Sequence, residues 1–299
     1  MVSILPPPSM TAGSGRIVFV LLAYNHERFI EQCVRSLADQ TYRNFSVIFI
    51  DDGSTDRTFE TGKAMLADAG IDSVCIQSRD NGICRNLNLA LRQGIEGEYF
   101  TLLSADDWLY PASLEERVRF LEGHPDCAMV YAPATLYWDA EQRYELLRKP
   151  YASGMVFGQL LEENFIPANT VMVRMWVFDE VGKFDENLAV EDWDMWLRIA
   201  KRHRVGLVES PLAYYRQHSN NLSQRSSAVI GATLDTLKKH LDHPVAQRHY
   251  RRLHIQHSIN CDPFLTAVLT LVTEGRADWP TVKQAVKLGV RKLAGWFLA

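Results

Sequence analysis

Two acids, Asp106 and Asp107, stand side by side directly after the apolar run "YFTLL" (99 to 103). Adjacent unit charges about 4 Å apart repel by roughly 1 kcal/mol in water and about 4 kcal/mol near a protein surface. A hard divalent cation relieves that repulsion, and Mg²⁺ is characteristically held by one or two carboxylates while substrate phosphates complete its shell. A solvated acidic turn ahead of a helix opened by Pro111 accounts for the same residues by composition alone.

Three further clusters carry polar chemistry. Asp51 and Asp52 follow the run "SVIFI" and precede Gly53, so either could accept hydrogen bonds from a nucleobase or a ribose. Asx-turn chemistry with an N-cap is the plainer alternative. The stretch "VEDWDMWLRIAKR" (190 to 202) crowds Glu191, Asp192 and Asp194 at the start of a helix, whose field favours ionised acids there. An ionised acid beside a substrate hydroxyl is a candidate general base. "YYRQHSNNLS" (214 to 223) reads as a polar loop after an apolar strand, with Arg216 able to meet phosphate charge and His218 able to bind a metal or touch a diphosphate. An ordinary solvated loop fits the composition equally.

These clusters need elements to position them. "IVFVLL" (17 to 22), "SVIFI" (46 to 50), "SVCI" (73 to 76), "YFTLL" and "AMVYA" (128 to 132) read as strands covered on both faces. Between them, Phe29, Ile30, Cys33, Val34 and Leu37 form a helical stripe, and Ser54 is placed to N-cap a helix running through Met65 and Leu66 to a stop at Gly70. Alternating strands and helices predict an α/β fold with a mostly parallel, Rossmann-like sheet flanked by helices. Ligands of such sheets bind beyond the carboxyl ends of the strands. That edge collects "AYNHE" (23 to 27), "DDGSTD" (51 to 56) and "SADD" (104 to 107). "TVMVR" (170 to 174) and "VGLVE" (205 to 209) read as later strands with a helix at about 191 to 202 between them. The expected organisation is a flexible leader over 1 to 15, a catalytic domain over 16 to 224 and a helical C-terminal region over 225 to 299.

Composition narrows the function. The 299 residues are 47% hydrophobic, enough for a filled core, and 32 basic against 36 acidic side chains give a net charge of -4. No basic block supplies the footprint of a nucleic-acid binder. Five scattered cysteines without a CxxC pair point to neither a disulfide framework nor a zinc site, and fit a reducing cytoplasm. The N-terminus lacks the basic flank and apolar length of a secretory signal, and no run of roughly 18 apolar residues suggests a membrane span.

Taken in order, "AYNHERFIEQCVRSLADQTYRNFSVIFIDDGSTDRT", "NGICRNLNLAL", "GEYFTLLSADDWLYPASLE", "VGKFDENLAVEDWDMWLRI" and "YYRQHSNNLS" resemble the family 2 glycosyltransferases of the GT-A fold. The resemblance spans roughly residues 16 to 223. It implies inverting transfer of a sugar from a nucleoside diphosphate donor, a UDP-sugar foremost, to a hydroxyl of a glycan or lipid-linked acceptor, in bacterial surface polysaccharide assembly. By those motifs Tyr24 stacks on the base with Asn25 beside it, Asp52 accepts from the base edge and Asp51 supports the turn or ribose. Arg85 lies near the diphosphate, as does Arg216. Asp106 and Asp107 hold ribose and a Mg²⁺ or Mn²⁺ ion, and His218 closes over diphosphate or metal. Asp192 is the base, with Glu191 the less favoured candidate.

Two positions depart from the family pattern. Where many members carry an acid two residues before Asp106, this chain has Ser104, which gives a metal less charge. "NGICRN" is more compact than the glycine-rich stretch of many relatives. Ser104 motivates a reading from another class, a catalytically weak nucleotide-sugar or glycan-binding scaffold within an assembly complex. A nucleotidyltransferase or a dinucleotide oxidoreductase finds no supporting glycine-rich loop after the first strand. His240 with His243 and His254 with His257 have HxxH spacing without an HExxH acid and read as surface histidines. Over 280 to 299, Val282, Val286, Leu293 and Phe297 face away from Lys283, Lys287 and Arg291. Such a helix suits either the inner face of a membrane or packing against the catalytic domain or a second copy in a homo-oligomer.

Overall fold

The structure is a computed structural model that describes residues 15–79, 82–219, 221 and 226–261, with the side chains of 226–228 and 255–261 left out. The chain divides into two compact units, residues 1–225 and 226–299.

In the first unit, β1 (Ile17–Ala23), β2 (Phe45–Asp51), β3 (Ser73–Gln77) and β4 (Tyr99–Ser104) alternate with helices α1 (Ile30–Ala38), α2 (Thr58–Asp68) and α3 (Ile83–Leu91). After the short β5 (Trp108–Leu109) come α4 (Ser113–Gly123), β6 (Cys127–Tyr131) and the hairpin β7 (Ala134–Trp138) and β8 (Arg143–Leu146). Then follow α5 (Phe157–Glu162), a 3₁₀ turn (Ala168–Thr170), β9 (Met172–Arg174), α6 (Val177–Val181), α7 (Asp192–Ala200), β10 (Arg204–Leu207) and β11 (Ala213–Gln217).

Seven strands form the main sheet in the order β10-β6-β9-β4-β1-β2-β3. All neighbours are parallel except β9, which runs antiparallel to both β4 and β6. The chain builds outward from β1 through β2 to β3, then returns to place β4 on the other side of β1. Strand order therefore reverses at β1 and β4, and the crevice beyond their carboxyl ends is where such sheets bind ligands.

Apolar runs decide the core. Every residue of β1 and β2 is buried. Ile17, Phe19 and Leu21 pack with Val47 and Phe49, with Ile30, Val34 and Leu37 of α1, and with Leu114, Val118 and Leu121 of α4. The helical stripe expected from Phe29 to Leu37 is buried throughout. β3 at the sheet edge is not, its residues being half-buried or exposed.

Ser54 does not cap α2, which begins at Thr58; the Asp56 carboxylate accepts the Thr58 backbone N–H at 3.0 Å instead. Ser54 has been drawn to Asp51, so the turn takes precedence over the cap. A second sheet, β5-β11-β7-β8, was not foreseen. It corrects the loop reading of 214 to 223: Tyr214–Gln217 are strand residues, paired in parallel with β7 and antiparallel with β5.

The second unit contains α8 (Ser226–Lys238) and α9 (Pro244–Cys261). Leu234, Leu237 and Ala246 are buried there. So is His240, in the connection between α8 and α9, contrary to the surface reading. The His257 side chain and the segment 280 to 299 lie outside the described residues. Among the described residues, no helix is long and apolar enough to cross a membrane.

Candidate active site

Each polar cluster at the crevice is set by the strand that ends there. β1 hands over to Tyr24, which is 55% exposed at the rim. Asn25 follows in the left-handed region at φ 55°, a conformation its short amide tolerates, and its side-chain oxygen accepts the Thr55 N–H at 2.9 Å. Asp51, at the end of β2, is fully buried and accepts both the backbone N–H (2.9 Å) and the hydroxyl of Ser54. Its work is the turn. Gly53, at φ 82°, completes that turn where a side chain would be strained. Asp52 accepts the Ser78 hydroxyl at 2.9 Å and the Gly82 N–H at 3.1 Å, fixing its carboxylate between β2 and the start of α3.

The SADD turn is pinned by backbone bonds: Ala105 N–H donates to Leu22 O (2.8 Å) and Asp107 N–H to Ser104 O (3.0 Å). The two acids then part company. Asp107 is buried; its Oδ1 accepts the Arg216 N–H and its Oδ2 the Asn169 amide, both at 2.9 Å. Burial and the neighbouring Asp106 charge push its carboxyl well above the usual range. Asp106, 8% exposed, has His218 Nε2 at 3.0 Å and His26 Nε2 at 3.9 Å from the same Oδ2. Burial would raise its pKa, but the His218 hydrogen bond, the His26 imidazole and the Ser104 hydroxyl together hold it below the usual value. Its Oδ1 is buried with no hydrogen-bond partner, as is His26 Nδ1. Burial lowers the pKa of His26 against the opposing pull of Asp106, so this imidazole is neutral near pH 7.

Arg216 takes a structural place. It is buried, its Nε donates to Asp106 O (2.8 Å), one Nη donates to Asp139 (2.6 Å) and the other to Gln32. The guanidinium lies 4.7 Å from the Phe29 and Trp108 ring centroids. Arg216, expected to meet phosphate, is here turned to protein acceptors through its Nε and both Nη groups. Asp107, expected on a metal, accepts one hydrogen bond on each carboxylate oxygen.

At α7, Glu191 is buried and its carboxyl is pushed up to about 8, by burial first and the Asp192 charge second. Asp192 is half-buried, accepts the Asn164 amide at 2.9 Å and its own helix's Trp193 N–H at 2.6 Å, and is raised by burial despite those bonds. The helix field was expected to depress both acids; desolvation outweighs it. Asp194 is committed to Arg198 at 2.9 Å, i to i+4 along the helix.

One short segment ties the two halves together. Asn164 holds Asp192 and Asn169 holds Asp107, and five peptide steps span at most about 18 Å. The acid at the start of α7 and the second acid after β4 are therefore each held by an asparagine of the same connection between α5 and β9. Arg85 is brought less close: it is exposed on α3 and turns to Glu186 at 3.7 Å.

The Glycosyl transferase family 2 profile matches residues 18–181, more than half the chain. The chain belongs to glycosyl transferase family 2. An uncharacterized glycosyltransferase of Rickettsia typhi is 27% identical over 212 residues, covering 69% of this chain and 65% of its own length. One from Rickettsia felis is 27% identical over 205 residues, 67% of this chain and 33% of its own. The chain thus spans less than two thirds of these relatives. S. aureus TarS (residues 1-349) with UDP-GlcNAc has a TM-score of 0.60 at 16% identity, covering 81% of this chain and 71% of that one. A Pyrobaculum calidifontis mannosyltransferase with GDP-Man and Mn²⁺ reaches 0.62 at 16% identity, covering 96% and 83%. At such identity these structures establish the GT-A fold.

Within the family-2 framework, His26, Asn164 and Asn169 are the residues that sequence reading missed. His26 sits inside the quoted "AYNHE" but carries no spacing signal, and the asparagines lie in a connection without a motif. Among the described residues no three His, Cys, Asp or Glu groups form a ready-made metal cage. A nine-tenths-buried carboxylate oxygen without a partner, beside an imidazole, nevertheless fits a cation whose remaining shell comes from phosphate oxygens.

Proposed function

We propose that this chain is an inverting glycosyltransferase that moves a sugar from a nucleoside diphosphate donor, a UDP-sugar foremost, to a hydroxyl of a glycan or lipid-linked acceptor in bacterial surface polysaccharide assembly. The carrying observation is a low-pKa Asp106 beside His218 at the carboxyl end of β4, together with a raised-pKa Asp192 held by Asn164 at the start of α7. The first combination suits a cation and diphosphate, the second a proton acceptor.

The chain's own groups divide the work. Tyr24 offers an exposed ring to a nucleobase, and Asp52, already fixed by Ser78 and Gly82, offers acceptor oxygen to the base edge. Asp106 and His218 would hold Mg²⁺ or Mn²⁺. When bound, such an ion stabilises charge growing on the departing diphosphate. Asp192 takes the acceptor proton as its oxygen attacks, and its raised pKa makes it a stronger base than an ordinary aspartate. Glu191, protonated below about pH 8, is the poorer candidate. A single displacement then inverts the anomeric centre, with orientation supplying much of the acceleration.

The test is a panel of UDP- and GDP-sugars with Mn²⁺ and mixed glycan and lipid-linked acceptors, reading nucleoside diphosphate release by the full chain. Metal-dependent turnover, reduced by about 10²- to 10⁴-fold in Asp192→Asn with donor binding intact, is the expected result. Donor binding with no turnover on any acceptor would instead make the chain a nucleotide-sugar-binding scaffold, the role that Ser104 favours.

A further inference from the structure

The two units of the chain are of opposite charge. Residues 226–299 contain ten lysines and arginines against five aspartates and glutamates, a net charge of +5, which leaves -9 on residues 1–225. A chain that is mildly acidic as a whole therefore keeps its positive excess in its smaller unit. Such asymmetry points to an anionic partner for that unit alone.

The described part of the unit shows where that charge is presented. α9 has three arginines and no acid among its 18 residues. Arg248, Arg251 and Arg252 are all exposed, and at about 3.6 residues per turn they fall within an arc of about 100°. Buried Ala246 stands on the opposite side of the helix, with Tyr250 and Leu253 half-buried near it. One side of α9 is thus used for packing and the arginine side is left to solvent. Lys238 at the end of α8 is exposed too, but Asp235 answers it at 2.8 Å. α9 has no acid of its own to do the same for its arginines. A guanidinium matches phosphate oxygens two at a time, and three of them in one arc suit a surface of phosphates better than a single anion.

We propose that the arginine face of α9 docks the second unit on an anionic lipid leaflet. The choice of a bilayer over a nucleic acid rests on the glycosyl-transfer reading, since a lipid-linked acceptor lies in a bilayer. The sequence favours the same choice: beyond α9 it adds Lys283, Lys287 and Arg291 together with Trp296 and Phe297, and aromatic side chains accompanying basic ones suit the boundary between water and lipid. The charge of the first unit assigns the contact to the second. A leaflet of like sign repels a unit of -9, so adhesion must come from the unit of +5. Each Lys or Arg close to such a leaflet is worth about fivefold in partitioning, so three are worth about 10²-fold.

The full chain would be floated with vesicles of phosphatidylcholine alone and of phosphatidylcholine with phosphatidylglycerol, with a DNA duplex as a separate ligand. Expected is partitioning to the anionic vesicles only, lost as salt rises from about 0.1 to 1 M and the screening length shortens from about 10 to 3 Å. Combining Arg248→Ala, Arg251→Ala and Arg252→Ala should lower that partitioning by about 10²-fold, and lysine at the same three positions should restore most of it. Should the alanine variant not fold, the lipid and salt dependence of the unaltered chain decides without it. Equal partitioning to both kinds of vesicle, indifference to salt, no loss in a folded alanine variant, or tighter binding to the duplex than to anionic vesicles would overturn the proposal. Failure of the transferase reading looks different: the chain floats with anionic vesicles but turns over no donor.

Discussion

Asp192 shows how a side chain's chemistry is set by what surrounds it. Its carboxylate is raised by burial and restrained by the Asn164 amide at 2.9 Å, a bond that favours the ionised form. Removing that amide leaves burial less opposed. Asn164→Ala is therefore expected to move the acidic limb of the pH–rate profile to higher pH and to lower kcat at pH 6 by about 10-fold, with donor KM little changed; an unmoved limb would show that Asn164 only packs. Glu191 gives a stability prediction of definite sign. Its pKa is about 8 in the folded chain against 4.5 for the free side chain, so the folded state prefers the protonated form. That preference contributes fully below pH 4.5 and is lost as pH rises through about 8. Glu191→Gln should leave Tm nearly unchanged at pH 5 and raise it relative to the unaltered chain at pH 8, measured by thermal denaturation across that range. The types of these residues were legible in the sequence and their states were not. Acids at a helix start advertise a favourable field, whereas the desolvation that overrides it comes from tertiary burial, which the local sequence does not display.

At the scale of elements, the parallel sheet could be read because β1, β2 and β4 are continuous apolar runs separated by amphipathic helices. The second sheet could not. β8 is exposed throughout and β5 is two residues long, so neither displays a burial pattern, and β11 ends in two polar residues and pairs with β7, 79 positions earlier. Misreading β11 as a loop is also what hid the structural commitment of Arg216, since its N–H bond to Asp107 depends on the strand. Helix packing makes a separate prediction at Gly62 on α2. By intrinsic propensity alanine there should add about 1 kcal/mol. A Cβ at that site, however, would lie 2.8 Å from two Phe49 ring atoms and 3.1 Å from an Ile30 side-chain atom. Phe49 is buried and cannot yield freely. Gly62→Ala is accordingly expected to destabilise the chain by about 1–3 kcal/mol in chemical denaturation; a gain in stability would mean that α2 slides without cost.

For the whole molecule, the residues of the crevice from Tyr24 to His218 all belong to the unit formed by residues 1–225, while α8 and α9 belong to the other. A ligand that binds one native unit stabilises that unit by mass action, about 2.7 kcal/mol at a hundredfold excess over Kd. For a unit of this size that corresponds to a rise of roughly 5–11 °C in its own transition. Scanning calorimetry of the full chain with UDP and Mn²⁺ should therefore shift the transition of the first unit and leave any separate transition of 226–299 where it was. On the proposed reading, in which Asp106 and His218 would meet the diphosphate through an ion, chelating the cation should remove most of the shift, because Arg216 is buried and turned to Asp106 O, Asp139 and Gln32. An equal shift from UDP in chelator would locate diphosphate binding on other cations of the chain, with exposed Arg85 the first to examine, and would separate nucleotide recognition from the carboxylates after β4.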